Sequence, residues 1–244
     1  MTLWARLTWQ AADPTGIAAS LAARLGVVAR EGGGAPGAIS IDLVSAVLEI
    51  RPWVRESPAD DPLAGGRLVL EPVPGGEEPP GAGAGLPSST LTLAAVGWAT
   101  VELDRAEMEL APWLGPCIRS RPGVGGSAAD SVDAPLGARG RVFAGGGLPG
   151  ESIVLLEPST EGRLAASLVR DAEGPCALYL RPADGLEAWA RRARERGVRL
   201  SARRIGPLGA ARLVVGGPVA GPHILVVDIS RSSNRAADGD TIAP

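Results

Sequence analysis

The sequence predicts an α+β fold built from repeated βαβββ units. Three observations carry that reading. Short apolar runs with strand-like patterning recur along the chain. Three of them lead through an Asp into a helical pattern that ends at a Gly. The composition, 244 residues with 45% hydrophobic and 21% charged, is that of a globular chain able to bury a sizeable core.

The first unit opens with LTWQAADPTGIAASLAARLG, the second with GWATVELDRAEMELAPWLG and the third with ALYLRPADGLEAWARRARERG. Asp13, Asp104 and Asp184 stand where a helix N-cap belongs, with a carboxylate to accept from free backbone N–H groups. Gly26, Gly115 and Gly197 stand where the chain leaves the helix in a left-handed conformation. In the third helix Leu186, Trp189, Ala190 and Ala193 share one face while the arginines fall mostly elsewhere, so Trp189 reads as packing.

Strand signals follow each helix. They are AISIDLVSAVLEI (38–50) and GRLVLEPV (66–73), then RGRVFAG (139–145) and ESIVLLEP (151–158), then VRLSARRI (198–205), ARLVVGG (211–217) and HILVVDI (223–229). Ile39, Ile41 and Leu43 alternate with Ser40 and Asp42, the mark of a half-buried strand. RLVLEP, IVLLEP and ILVVDI each end an apolar run with an acid, Glu71, Glu157 and Asp228, and read as equivalent closing strands. The Pro- and Gly-rich stretch 72–89 reads as a linker, the Gly-, Ala- and Asp-rich stretch 122–140 as a mobile insertion, and 230–244 as a disordered tail. The expected organisation is a module over 1–75, a linker over 76–94, a paired-module domain over 95–229 and the tail.

Composition removes several chemistries. All 24 basic residues are arginine, so a Schiff-base lysine or a P-loop lysine cannot exist. A net charge of −3 does not favour a nucleic-acid surface. No stretch approaches the roughly 20 apolar residues of a membrane helix. The start, MTLWARLTWQ, lacks a continuous apolar core, so no signal peptide is read and a cytoplasmic protein is expected. Cys117 and Cys176 give no CxxC metal pair.

Strand, capping Asp, helix, Gly and further strands in tandem resemble the vicinal oxygen chelate superfamily, which includes glyoxalase I, bleomycin-resistance proteins and extradiol dioxygenases. EGPCALYLRPADGLEAWARRARERGVRLSARRIGPLGAARLVVGGPVAGPHILVV is similar to the family's second module, and WATVELDRAEMELAPWLG through IVLLEP to the module before it. The resemblance implies curled mixed sheets that form a ligand-holding cup. It also implies a divalent metal held from first and last strands. Counted as that family places them, the first-strand positions fall on Ala5, Val96 and Cys176 and the last-strand positions on Leu70, Val154 and Leu225. Only Cys176 is a metal-binding type, and one thiolate does not make a site for a hard cation. No cofactor is therefore expected. Glu71, Glu157 and Asp228 are the metal candidates that a register shift or bulge would bring in.

His223, the one histidine, falls on the face of Leu225 by two-step alternation. It either lines the cup as a base or hydrogen-bonding group, or simply begins a strand after Gly221-Pro222. Trp9 and Trp98 are either aromatic walls of the cup or core, and Cys176 a cup residue or an inert thiol. Three functions stay open: metal-free capture of a small aromatic or apolar molecule, a metal-dependent lyase, isomerase or dioxygenase with displaced ligands, and a structural or regulatory protein with a filled cup. The expected partner is a small molecule, with no nucleic acid and no membrane. An unpaired first module would leave an edge and an apolar face open, which points to a homodimer.

Overall fold

A computed structural model describes residues 5–11, 13–31, 39–42, 46–52, 68–72, 90–111, 114–117, 131–145, 152–216 and 222–229. The expected linker segment 73–89 and tail 230–244 lie outside these residues, as do 53–67 and 118–130.

The first unit runs β1 (Ala5–Ala11), α1 (Pro14–Leu25), β2 (Ala29–Glu31), β3 (Ile39–Asp42) and β4 (Ala46–Pro52). Helix α1 forms where Asp13 accepts a hydrogen bond from Gly16 N–H at 2.9 Å and Pro14 pre-sets the first turn. It ends where Gly26 turns left-handed at φ 72°. Its buried face is Ala18, Leu21, Ala22 and Leu25.

Strand β4 lies parallel to β1, pairing Leu7 with Leu48 and Trp9 with Ile50, and the sheet order is β2-β3-β4-β1-β5. This corrects the sequence reading in two respects. AISIDLVSAVLEI supplies two strands, and the second of them closes the unit. RLVLEP forms β5 (Leu68–Pro72), an additional strand antiparallel to β1. Glu71 therefore does not occupy a closing strand equivalent to those of Glu157 and Asp228.

The second unit is β6 (Leu91–Ala99), α2 (Leu103–Leu110), β7 (Leu114–Cys117), β8 (Ser131–Asp133), β9 (Ala138–Gly145) and β10 (Ser152–Pro158). After α3 (Arg163–Asp171), the third is β11 (Gly174–Pro182), α4 (Leu186–Glu195), β12 (Arg204–Gly206), β13 (Gly209–Leu213) and β14 (His223–Asp228). In each, the first and last strands are parallel, β6 with β10 and β11 with β14. The two units join where β6 pairs antiparallel with β11, giving the order β12-β13-β14-β11-β6-β10-β9-β7, with β8 attached to β9. The sheet curls almost closed into a cup. In the first unit β5 stands against β1 as β11 stands against β6.

Helix α4 exposes its arginines and buries Leu186, Trp189, Ala190 and Ala193, as its spacing requires. That face joins α1 in one continuous core, which unites Trp9, Leu21, Leu25, Ile41 and Leu48 with Leu91, Leu93, Leu178, Leu180, Trp189, Ile224 and Val226. The apolar face of α1 thus packs within the chain, and β5 pairs with the side of β1 away from β4. Helix α2 covers the other half of the sheet's outer face, over Phe143, Ile153 and Leu155.

The caps differ from expectation beyond α1. Asp104 lies inside α2, whose first turn is capped from a distance: Leu103 N–H donates to Glu157 at 2.9 Å. Asp184 precedes the N-cap Gly185 and pairs with Arg192. Gly197 adopts the left-handed conformation as expected, whereas Gly115 lies in β7. The stretch read as a mobile insertion carries ordered structure from residue 131: β8, a turn over 134–137 and the start of β9.

Candidate functional site

The concave face of the cup is the place where this architecture gathers side chains without helices α2 and α4. Alternation along the central strands sends Tyr179 and Ala177 from β11, Leu225 and Val227 from β14, and Val154 and Leu156 from β10 to this side. All are almost fully buried. Helix α3, which connects the second and third units, lies against β6, β10 and β11, adds Leu164 to the same cluster and buries Ser167. From the opposite rim the turn after β8 inserts Leu136. Ala134 N–H donates to Ile205 O at 3.3 Å, so this turn ties the second unit to strand β12 of the third.

The interior is packed to contact. A methyl on Gly97 would lie 2.8 Å from Ala177 Cβ, 3.0 Å from Leu156 Cδ1 and 3.1 Å from Tyr179 Cε2. Gly97 is required here because its neighbours already fill the space above it.

Two polar pairs stand within this apolar setting. Tyr179 Oη donates to Asp133 Oδ2 at 2.6 Å, and Asp133 also accepts from Leu136 N–H at 3.1 Å. Both side chains are completely buried. Burial pushes the Asp133 carboxyl above its ordinary range, opposed by the hydrogen bonds from Tyr179 and Leu136. Burial, with the nearby Asp133 charge, raises the Tyr179 phenol well above its usual value. The second pair joins His223 Nε2 to Ser167 Oγ at 2.9 Å. Burial lowers the imidazole, and the charges of Arg163 and Arg170 lower it further. Ser167 thus holds the His223 imidazole by a hydrogen bond.

The residues singled out from sequence are dispersed over both sides of the sheet. Only His223 and Cys176 belong to the concave side. Cys176 is half-buried against that core, and burial raises its thiol above the ordinary range, which suppresses the reactive thiolate. Trp9 is 1% exposed in the core beneath α1. Trp98 is half-buried beneath α2, with Leu103, Phe143 and Leu155, on the outer face. Glu157 also faces α2, where it holds Arg139 at 2.6 Å and caps Leu103. Asp228 is exposed at the end of β14. The Glu71 side chain lies outside the described residues.

The divalent metal implied by the family resemblance does not fit this donor set. The positions nearest the family's ligand places carry hydrocarbon at Val154 and Leu225. The Tyr179 hydroxyl is committed to Asp133, and burial raises the Cys176 thiol above its ordinary range. Among the described residues no three His, Cys, Asp or Glu side chains gather as metal ligands.

Sequence reasoning missed Asp133, Ser167, Tyr179 and α3. The signal for α3 was present: Leu164, Ser167 and Leu168 share a helical face. For Asp133 there was none, because the residues that bury it come from other strands.

No family profile and no curated protein sequence matches the chain. Solved structures do. A mutant of 4-hydroxymandelate synthase from Streptomyces coelicolor superposes with a TM-score of 0.61 over 94% of this chain and 93% of its own, at 12% identity. Methylmalonyl-CoA epimerase from Mycobacterium tuberculosis matches at 27% identity and a TM-score of 0.44, over 55% of this chain and 85% of its own. A Streptomyces coelicolor methylmalonyl-CoA epimerase in complex with 2-nitronate-propionyl-CoA matches at 21% identity and a TM-score of 0.42, over 57% and 94%.

Proposed function

Since the chain has the vicinal oxygen chelate fold, we propose that it is a non-catalytic member of that fold, a structural or regulatory scaffold whose cup is filled by its own side chains. One observation carries the reading: Tyr179, Leu156 and Ala177 close over Gly97 so tightly that even a methyl group there would collide. A catalytic cup needs open volume beside its reacting groups. Here the same volume holds a phenol ring and the Asp133–Tyr179 hydrogen bond.

The test has two arms on protein purified without a metal-binding tag. Elemental analysis is expected to find zinc, nickel, manganese and iron well below one per chain. Titration with small aromatic molecules, followed by NMR at the single tyrosine, is expected to leave the Tyr179 resonances in place. Stoichiometric metal overturns the reading in favour of a metal enzyme, and saturable movement of Tyr179 overturns it in favour of ligand capture.

That second reading, metal-free capture of a small aromatic or apolar molecule, is favoured by a separate feature. Helix α3 ends at Ala172, a non-glycine residue with φ 60°, and is flanked by Gly162 and Gly174. Such a junction stores strain that a lifting helix would release. The floor beneath α3 is apolar, with Ala95, Gly97 and Ala177.

A further inference from the structure

The C-termini of α1 and α4 meet the chain at Val215 and Gly216. They border an open cleft of about 190 Å³ whose lining includes Arg24, Arg196 and Arg199. We infer that this cleft binds a phosphate-type oxyanion, either free phosphate or phosphate carried on a small organic molecule.

The guanidiniums converge there. A Cβ on Gly216 would lie 3.3 Å from Arg199 Nη2 and 3.7 Å from Arg24 Nη1, and one on Gly26 would lie 2.9 Å from Arg196 Nη2. The absent side chains of two left-handed glycines leave room for the three arginine heads.

None of the three meets a carboxylate among the described residues. Five arginines elsewhere pair with acids: Arg105 with Glu109 and Glu173, Arg139 with Glu157, Arg141 with Asp104 and Glu107, Arg192 with Asp184, and Arg212 with Glu187. In a protein of net charge −3, three guanidiniums around one cleft with no acid beside them among the described residues make a local positive cluster.

Capping of helix ends does not use up their donors. Arg24 donates through Nε to Ser20 Oγ at 3.2 Å and through Nη1 to Val215 O at 3.3 Å. Arg196 donates through Nη2 to Arg24 O at 3.5 Å. The Arg199 carbonyl accepts from Val215 N–H at 2.8 Å, and its guanidinium has no hydrogen-bond partner among the described residues. Each guanidinium carries five N–H donors, so most remain for a ligand.

The charge balance also favours an anion. The ends of α1 and α4 contribute about half a negative charge each, against three full positive charges. The net excess is about two units, which matches a phosphate dianion, and arginine's planar fork fits two of its oxygens at once. The site draws Arg24 from the first unit and Arg196 and Arg199 from the third, so an occupant would hold those units together. It is independent of whether the cup opens.

The test is calorimetric titration of the full chain with inorganic phosphate, ribose 5-phosphate and adenosine 5′-monophosphate at constant ionic strength, in parallel with R199Q and with R194Q. Arg194 is exposed on α4 and does not line the cleft. Saturable binding by wild type is expected, weakened at least about tenfold in R199Q and by less than about twofold in R194Q. The Arg199 guanidinium makes no hydrogen bond among the described residues, and its backbone bond from Val215 N–H survives the substitution, so R199Q should melt with wild type, and a shared melting temperature keeps the comparison valid. Equal affinity for phosphate and the two organic phosphates identifies free phosphate as the occupant. Tighter binding of either organic phosphate identifies a carried one. The inference falls if no probe saturates, or if R199Q and R194Q weaken binding equally, the signature of general charge screening. If R199Q melts early, R24Q takes its place under the same criteria.

Discussion

The second and third units have the same strand order, yet their helices are held by different forces. Helix α4 lies under the first unit, and Trp189 is 1% exposed in a core shared by both sheets. Among the described residues helix α2 carries no such cover. Its polar side is laced by ions: Arg141 reaches Asp104 at 2.7 Å and Glu107 at 2.8 Å, and Arg105 reaches Glu109 at 3.0 Å and Glu173 at 2.5 Å. Even its N-terminus depends on a carboxylate from another strand. One topology thus tolerates hydrocarbon or charge over its outer face, and the neighbour decides which.

The largest effect expected from this contrast is at Trp189. Trp189→Ala empties the centre of the shared core and should cost about 3–5 kcal/mol. Urea unfolding followed by far-UV circular dichroism measures it. A loss below about 1 kcal/mol would mean that the two sheets do not share a core.

An intermediate effect is expected inside the cup. Tyr179→Phe leaves the Asp133 carboxyl buried without its closest donor and should cost about 1–3 kcal/mol. Because the folded-state pKa of Asp133 is raised, its contribution is most favourable at low pH. That contribution declines as pH rises from the ordinary carboxylate value, about 4, through the folded value. Asp133→Asn should remove this downward slope, read from urea midpoints across acidic pH. An unchanged slope would show that Asp133 titrates as if exposed.

The smallest effect belongs to the ionic side. Glu173 accepts from Arg105, from Val101 N–H at 2.7 Å and from Thr100 Oγ1 at 3.0 Å, and Arg105 foremost holds its pKa down. Its contribution is present above the ordinary glutamate value and disappears as pH falls through the lowered one, opposite in sign to Asp133. Glu173→Gln should flatten the acid limb of stability slightly, with an effect that salt also reduces. A loss as large as that of Tyr179→Phe would place this network on a par with the packed interior.

The sequence made the tandem units readable because caps and helix faces are local. Asp13, Gly26 and Gly197 act through neighbours three or four residues away. Asp104 and Asp184 misled because a local cap was replaced in one case by Glu157, remote in sequence, and in the other displaced by a residue. The misreading of β5 has a different origin. RLVLEP and IVLLEP are alike as strings, and only pairing distinguishes an added edge strand from a closing one. Trp98 shows the limit of alternation. Both faces of β6 are buried, and register shifts opposite it, between Pro175 and Ala177 and between Tyr179 and Leu180, reset the parity. The Asp133–Tyr179 pair was not legible, because β8 with its turn and β11 meet only in the folded chain.

The close fit at Gly97 also limits how this molecule can change. Position 97 and position 179 divide a single volume, so enlarging the first evicts the ring of the second. Shrinking the second leaves a void over a residue with no side chain to fall into it. An engineer wishing to recover an open basin would therefore begin with one truncation at Tyr179 and supply the lost stability from elsewhere.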